Sequence, residues 1–243
     1  MNKRLSYLIS ILLFIGFAVF IALRQRQPFN LSAFEGYRTL IMGGFLRTVM
    51  VSFIILIGSV ISGFVLYLLS KSKVRFFRAF VDVLTEIIYG TPLLVMIVVM
   101  AFVIGPAFNS YNRIVLGILG ITIYITPYMT NIYKSAFSSI SDDQYQAMDL
   151  FGFTPYQRYR YIIIPQVIRI LMPPLMNNFS LIIKGSALLH VISYSELFHS
   201  MSVMTSRTFA HVEGYIIMWM LYIMITVPLS QFTRFFERRW GLQ

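Results

Sequence analysis

Three groups of residues in this chain have the types and spacing for specific work. The first is Ser141-Asp142-Asp143-Gln144, which has the form of a capping box. A serine sits at the N-cap, a glutamine three residues on can reach back, and two aspartates face the positive end of the helix dipole. Gly152 predicts the stop, because glycine enters the left-handed position after a helix without steric cost, and Phe153 offers the apolar contact that accompanies it. The enclosed helix, Asp142 to Phe151, gathers Gln144, Ala147, Met148 and Phe151 on one stripe and turns Asp142, Gln146 and Asp149 elsewhere. A helix this short does not stand alone in water. Its stripe must pack, either on the chain's own surface or on another protein.

The second group is Asn177, Ser180 and Lys184, spaced i, i+3 and i+7 on one helical face, followed by Ser186 and preceded by Pro165, Pro173 and Pro174. The surrounding segment is apolar. Polar groups and proline interruptions are tolerated there when they face protein or a water-filled cavity. Two readings stand. The face lines a path or an interface between subunits, with Lys184 as counter-charge to a substrate carboxylate or a neighbouring acid; or Lys184 snorkels to the surface and the asparagines bond adjacent helices.

The third group is the remaining ionisable and coordinating residues, and the chemistry it excludes is informative. Asp82 and Glu86 lie one turn apart with Arg78 four residues before Asp82, a spacing that suits an interfacial ion pair better than paired catalytic carboxylates. His190, His199 and His211 lack ligand spacing with another donor. Met201, Met204, Met218, Met220 and Met224 read as apolar fill rather than a copper path. No Ser/His pair or aspartate pair marks an intramembrane enzyme. No G-x-x-x-x-G-K-[ST] phosphate loop is present to cradle a nucleotide.

The elements that must position these groups are membrane helices. Of 243 residues, 58% are hydrophobic and 12% charged, and the mean hydropathy is +0.75. An ordinary soluble enzyme is excluded by that balance. Uncharged runs cover Leu5 to Leu23, Thr48 to Ser70, Ile87 to Asn112, Ile114 to Tyr133 and Gly214 to Thr233, each long enough to cross a bilayer. A sixth segment, about Tyr161 to Ser195, carries Arg169 and Lys184. The fold class expected is all-α: a polytopic bundle of six transmembrane helices. Gly90-Thr91-Pro92 predicts a kink in the third span, and Pro127 and Pro228 read as shaping residues in theirs. Leu31 to Leu46, mixing Phe, Leu and Tyr with Glu35 and Arg38, reads as an interfacial segment.

A net charge of +11 would suggest nucleic acid in a soluble protein, but here the bases sit between spans. With Lys71, Lys73, Arg75 and Arg78 placed in the cytoplasm, parity puts both termini there too. Thirteen of the twenty bases then fall inside, six outside and Lys184 in a span. Arg24, Arg26, Arg38 and Arg47 violate the rule locally in the first outer segment. Residues 5–23 exceed a signal-peptide core and end in Arg24-Gln25-Arg26 without a small-x-small cleavage site, which favours an uncleaved anchor. Tyr and Trp near span ends, Trp240 among them, fit an interfacial belt. The absence of cysteine leaves the compartment open.

Residues Gln146-Ala147-Met148-Asp149-Leu150-Phe151-Gly152, with Pro165-Gln166 following, resemble the EAA loop of ABC-importer permease subunits. Pro174, Asn177, Lys184, Ser186-Ala187-Leu188 and Glu196-Leu197 resemble the stretch that follows this loop in permeases for polar amino acids. Glu86 and Gly90-Thr91-Pro92-Leu93-Leu94-Val95 resemble an upstream membrane segment of the same group. The family's Glu-Ala-Ala is Gln146-Ala147-Met148 here, Tyr89 stands where arginine is common, and Met96 where glutamine is. The resemblance covers about residues 36–240. It implies an N-terminal anchor and outer segment over 1–35 and a permease domain over 36–240 with its coupling loop at 138–165.

The resemblance implies a membrane subunit of an ATP-driven importer in the bacterial cell membrane, moving a polar amino acid or similar small solute by alternating access. ATP and Mg would be bound by two partner ATPase subunits and no cofactor by this chain, which is not itself an enzyme. The remaining partners implied are a second permease, identical or a sister, and an extracellular or periplasmic binding protein; nucleic acid is not among them. Gln144, Gln146, Ala147, Met148, Phe151 and Gly152 would couple to the ATPase. Asn177, Ser180, Lys184 and Ser186 would line the path, and Pro92, Pro165 and Pro174 would kink helices. The rival class is an ATP-independent secondary transporter or channel, which polar, proline-broken helices permit equally well.

Overall fold

The computed structural model describes residues 3–24 and 31–239, and within them the chain is helical with no strand. Gln25, Arg26 and Trp240 lie outside the described residues. Helix α1 is Lys3–Arg24, and Leu8–Phe17 is its apolar stretch. Four longer helical segments meet the length and composition of a crossing: Phe34–Ser70, Arg113–Ser138, Pro155–Ile192 and His211–Arg239. A bent pair, Arg75–Tyr89 with Leu93–Ala107, reaches crossing length only if its two arms are taken together, and they are turned by 108° to each other.

Helix α2 (Arg38–Ser70) extends well upstream of the apolar run that predicts it. A short 3-10 turn, Ser32–Tyr37, leads into it. Residues 31–46 are therefore not a separate interfacial segment. The physical reason is that these turns have a packing partner. A Cβ on Gly44 would stand 2.4 Å from Ser200 Oγ and 2.9 Å from the Glu196 carbonyl, so only glycine allows this approach. Arg47 Nη1 donates to the Ser195 carbonyl at 3.0 Å, which gives one of the four arginines that broke the charge rule a structural use.

The expected third span is two helices. In α3 (Arg75–Tyr89) the last turn closes through Gly90 N to the Glu86 carbonyl at 3.0 Å. Pro92 then sits in an extended conformation (ψ 141°) at the N-cap of α4 (Leu93–Val99). The residue before a proline avoids the helical region, so Gly90-Thr91-Pro92 breaks the helix rather than kinking it. A π turn, Met100–Ile104, and Gly105–Ala107 continue α4.

Helix α5 (Arg113–Ser138), capped by Asn112 Oδ1 accepting from Val115 N, is the central post and lies against α2. Thr130 Oγ1 donates to the Gly63 carbonyl at 3.1 Å, Ser62 and Thr126 hydroxyls share a 2.7 Å bond, and Val51, Ile55, Ile121, Ile125 and Met129 are buried between them. At one end of this pair the Tyr67 ring stacks on Phe137 at 5.0 Å.

Helix α6 (Asp142–Leu150) follows from that end. Helix α7 (Ile164–Gly185) is entered through Pro155–Gln157 and a π turn, Arg158–Ile163, and leaves through a 3-10 turn, Ser186–Ile192. The whole stretch is one helical segment of 38 residues. The helix runs on through Pro174 and Pro165, the residues expected to kink it, and Pro165 follows closely on the π turn. The widened turn before it accommodates the lost bond. Helices α8 (Leu197–Thr208) and α9 (His211–Arg239) complete the described residues. α8 lies at the opposite end of α2 from α6, through the Gly44–Ser200 approach.

Candidate coupling helix and polar face

Helix α6 stops as its sequence dictates. Gly152 has φ +64°, and Phe153 N donates to the Met148 carbonyl and Gly152 N to the Asp149 carbonyl, both at 3.0 Å. Those two bonds are the paired closure of a Schellman motif, and Phe153 packs in the cluster that buries Met148.

Its start differs from expectation. Ser141 is extended at the N-cap but its side chain makes no cap bond. Gln144 does not reach back; its Oε1 accepts from Gln166 Nε2 at 3.0 Å, tying α6 to α7. The capping box forms at the next helix start instead, where Thr154 N donates to Gln157 Oε1 at 2.9 Å and Gln157 N to Thr154 Oγ1 at 3.4 Å. Gln144 takes a long-range partner in place of a local one.

The apolar stripe splits in two. Met148 is 3% exposed, among Ala136, Ile140, Ile163 and Val167. Leu150 and Phe151 are 88% and 80% exposed, and Gln146 and Ala147 are exposed beside them. Met148 therefore fixes the helix to its own chain and is not on the free surface. Arg158 strengthens the attachment by pairing with Asp149 and by donating from Nε to the Phe153 carbonyl at 2.8 Å. Between Ala147, Phe151, Phe153 and Ile162 runs a shallow groove of about 390 Å³ with almost wholly apolar walls.

On α7, Asn177 and Lys184 are exposed and Ser180 is half-buried. Ser186 does not join them. It is buried, with its hydroxyl donating to the Ile183 carbonyl at 2.8 Å, and caps a turn rather than lining a path. Lys184 makes no ion pair with any described residue, so the neighbouring acid one reading asked for is not among the described residues. Nor do Arg78 and Asp82 pair, as their spacing predicts. Among the described residues no group of three metal-ligating side chains occurs, and His190 contacts the Ala187 carbonyl at 3.0 Å and the Phe198 ring instead.

Sequence reasoning missed the part played by Glu196. It is fully buried at the N-cap of α8, where its carboxylate accepts from His199 N (2.7 Å), Phe198 N (2.8 Å), Tyr222 Oη (3.1 Å) and Thr48 Oγ1 (3.3 Å). Thr48 Oγ1 in turn accepts from Leu197 N at 3.0 Å. One side chain thus joins α2, α8 and α9. Burial pushes the carboxyl above its ordinary range, and the donated hydrogen bonds oppose that shift. The available signal was an acid without a nearby base, set between apolar runs.

This arrangement has known counterparts. The family model described as binding-protein-dependent transport system inner membrane component matches residues 60–241. The chain is 28% identical over 210 residues to the probable glutamine ABC transporter permease protein GlnM of Bacillus subtilis, covering 86% of this chain and 97% of that protein. It is 29% identical to the histidine/lysine/arginine/ornithine transport system permease protein HisM of Salmonella typhimurium, covering 76% and 85%. The crystal structure of an amino acid ABC transporter with histidines superimposes with a TM-score of 0.79 at 26% identity, over 88% of this chain and all of that one. Inward-facing MetNI methionine ABC transporter shares the fold alone, with a TM-score of 0.64 at 15% identity over 83% of this chain and 98% of that one. The relatives are transport components rather than enzymes. The chain belongs to the family of binding-protein-dependent transport system inner membrane components, and its kin are permease subunits of amino-acid ABC transporters.

Proposed function

We propose that this chain is the permease subunit of an ATP-driven importer of a polar amino acid, and that α6 is the handle by which a separate ATPase moves it. The observation that carries this reading is the division of one short helix into a side welded to α5 and α7 and a side left apolar and bare. A helix gripped only by solvent would not keep Leu150 and Phe151 exposed beside an apolar groove. A force applied at Ala147 and Phe151 passes through Met148, the Gln144–Gln166 bond and the Asp149–Arg158 pair directly into α5 and α7.

The solute path is assigned to the exposed face of α7. Asn177 and Ser180 offer hydrogen bonds, and Lys184 offers its ammonium to a substrate carboxylate where the chain meets a second permease. Alternating access then follows from the ATPases favouring one arrangement of the helices over the other, since only differential affinity shifts such an equilibrium. Two ATPase subunits holding ATP and Mg, a second permease and an external binding protein complete the assembly. The tyrosine–phenylalanine stack of Tyr67 on Phe137 supports the orientation, because it puts the basic segment after Ser70 and α6 at the same end of the bundle.

The test is copurification from a membrane extract. A tagged chain brings down a P-loop ATPase, Ala147→Asp abolishes that association while leaving the permease folded, and proteoliposome uptake requires ATP. Uptake of undiminished rate without ATP, from permease free of any ATPase, would establish the secondary-transporter reading instead.

A further inference from the structure

Helix α3 has three faces, and only two of them are accounted for. Arg75, Arg78, Asp82 and Glu86 share the polar face. Val81 and Ile88 form the second, buried against the bundle. The third is a stripe of Phe76, Phe80, Val83 and Ile87, spaced i, i+4, i+7 and i+11 and between 48% and 69% exposed. An apolar stripe this continuous requires an apolar medium.

Orientation and charge identify the medium. Leu93–Ala107 packs against the long apolar helix α5, where a Cβ on Gly120 would meet Ile97 Cα at 3.3 Å, and the 108° turn at Gly90-Thr91-Pro92 sets α3 close to perpendicular to it, so α3 lies near the membrane plane. In-plane helices of this kind place the apolar face in the acyl–headgroup boundary and the basic face among headgroups. The bases are gathered at the entry: Lys71, Lys73, Arg75 and Arg78 fall within eight positions, all exposed, while Asp82 and Glu86 belong to the later half. Arg78 is not engaged by Asp82, which leaves its guanidinium open to an external anion. Phosphate is the anion a membrane surface supplies, and guanidinium and ammonium groups bind it well.

We infer that α3 is an interfacial helix, seated by Phe76, Phe80, Val83 and Ile87 in the boundary of the bilayer, that holds anionic phospholipid through Lys71, Lys73, Arg75 and Arg78. The inference goes beyond the transport reading and takes from it only that this surface is the cytoplasmic one. It makes α3 a float that fixes the depth of the Gly90–Pro92 break, and thus of the inner end of α4.

The natural chain has no cysteine, so single cysteines report cleanly. Phe80→Cys and Val83→Cys on the stripe and Glu86→Cys on the polar face are labelled with bimane in the assembled transporter. The labelled transporter is then reconstituted in vesicles of brominated or plain phosphatidylcholine. Emission from the two stripe positions falls about twofold in brominated vesicles while that from position 86 holds. In native mass spectra from vesicles containing phosphatidylglycerol, Arg75→Gln with Arg78→Gln cuts the retained phosphatidylglycerol by about half. Stripe labels that stay bright in the assembled transporter would mean that a subunit covers α3, and phosphatidylglycerol retention unchanged by the arginine variants would remove the headgroup contact; either overturns the inference. Failure of an ATPase to assemble, with the quenching pattern intact, would overturn the transport reading alone.

Discussion

Met148 on α6 and Phe151 at its C-cap stand three residues apart, yet one is 3% exposed and the other 80%. Their substitutions should separate the two jobs of α6. Met148→Ala removes buried volume and costs about 2–5 kcal/mol of stability, read as a lower melting temperature of purified permease. Phe151→Asp touches no buried contact, so melting is unchanged. ATPase stimulation by the permease falls instead by about tenfold or more, as expected for an interface anchor placed against a charge. If Phe151→Asp left stimulation intact, the bare side of α6 would not be the docking surface.

Close approach of α2 and α5 makes a second, independent prediction. A Cβ on Gly63 would lie 2.4 Å from Met129 Cβ, with backbone of Thr126 and Thr130 behind it at 3.2 Å. No flexible side-chain end can yield there. Gly63→Val forces the two helices apart, breaking the Thr130–Gly63 hydrogen bond and unpacking the shared core. The overpacking alone costs about 1–3 kcal/mol. Size-exclusion profiles of the detergent extract should show aggregation for this variant, whereas Gly43→Ala, one residue from the Gly44 approach but facing only the end of Arg47 at 3.8 Å, should run as the natural chain does.

Four of the six expected crossings were legible because they rest on length and polarity, which the sequence states directly. The stop of α6 was legible for the same reason: Gly152 and Phe153 act locally. What escaped depends on partners far away in the chain. Gln144 could cap its own helix or meet Gln166, and nothing within a few residues decides between them. Residues 31–46 read as interfacial until Ser200, far along the chain, meets Gly44. Ser186 lies on the opposite face of the helix from Asn177, and the 3-10 turn that buries it is set by packing. Glu196 was seen as part of a motif, but its role needs three helices to converge. The Pro92 break and the passage of the helix through Pro174 show the same dependence. Proline removes one bond in each case, and the surroundings decide whether the helix continues.

Glu196 gives a pH prediction whose sign is fixed by its environment. Burial raises the folded-state pKa above the ordinary 4.5. Its contribution to stability is therefore fully present below that ordinary value and is lost as pH rises through the folded pKa. Melting of the purified permease should decline as pH is raised above 4.5 in a Glu196-dependent step, and Glu196→Gln should remove the step. Glu196→Ala leaves the Phe198 and His199 N–H groups and the Tyr222 hydroxyl without their buried acceptor. Each orphaned group costs about 1–3 kcal/mol, so this variant melts lower at every pH. A melting curve of Glu196→Gln that kept the natural pH step would assign the titration elsewhere.

Lys184 decides the nature of the α7 face. It is exposed on the same side as Asn177 and has no acidic partner among the described residues. If the ammonium receives a substrate carboxylate, Lys184→Met keeps the aliphatic stem and loses only the charge. Assembly with the ATPase and the melting temperature should then match the natural chain, while uptake falls by about tenfold or more, the equivalent of ~1.4 kcal/mol. Lys184→Arg restores the charge but not the compact donor, so partial recovery is expected. Snorkelling makes the opposite forecast: a lysine that only reaches for headgroups can be replaced by methionine without loss of uptake, with at most a small change in melting. Measuring uptake and melting on the same preparations separates the two, because a packing role moves both and a solute-facing charge moves uptake alone.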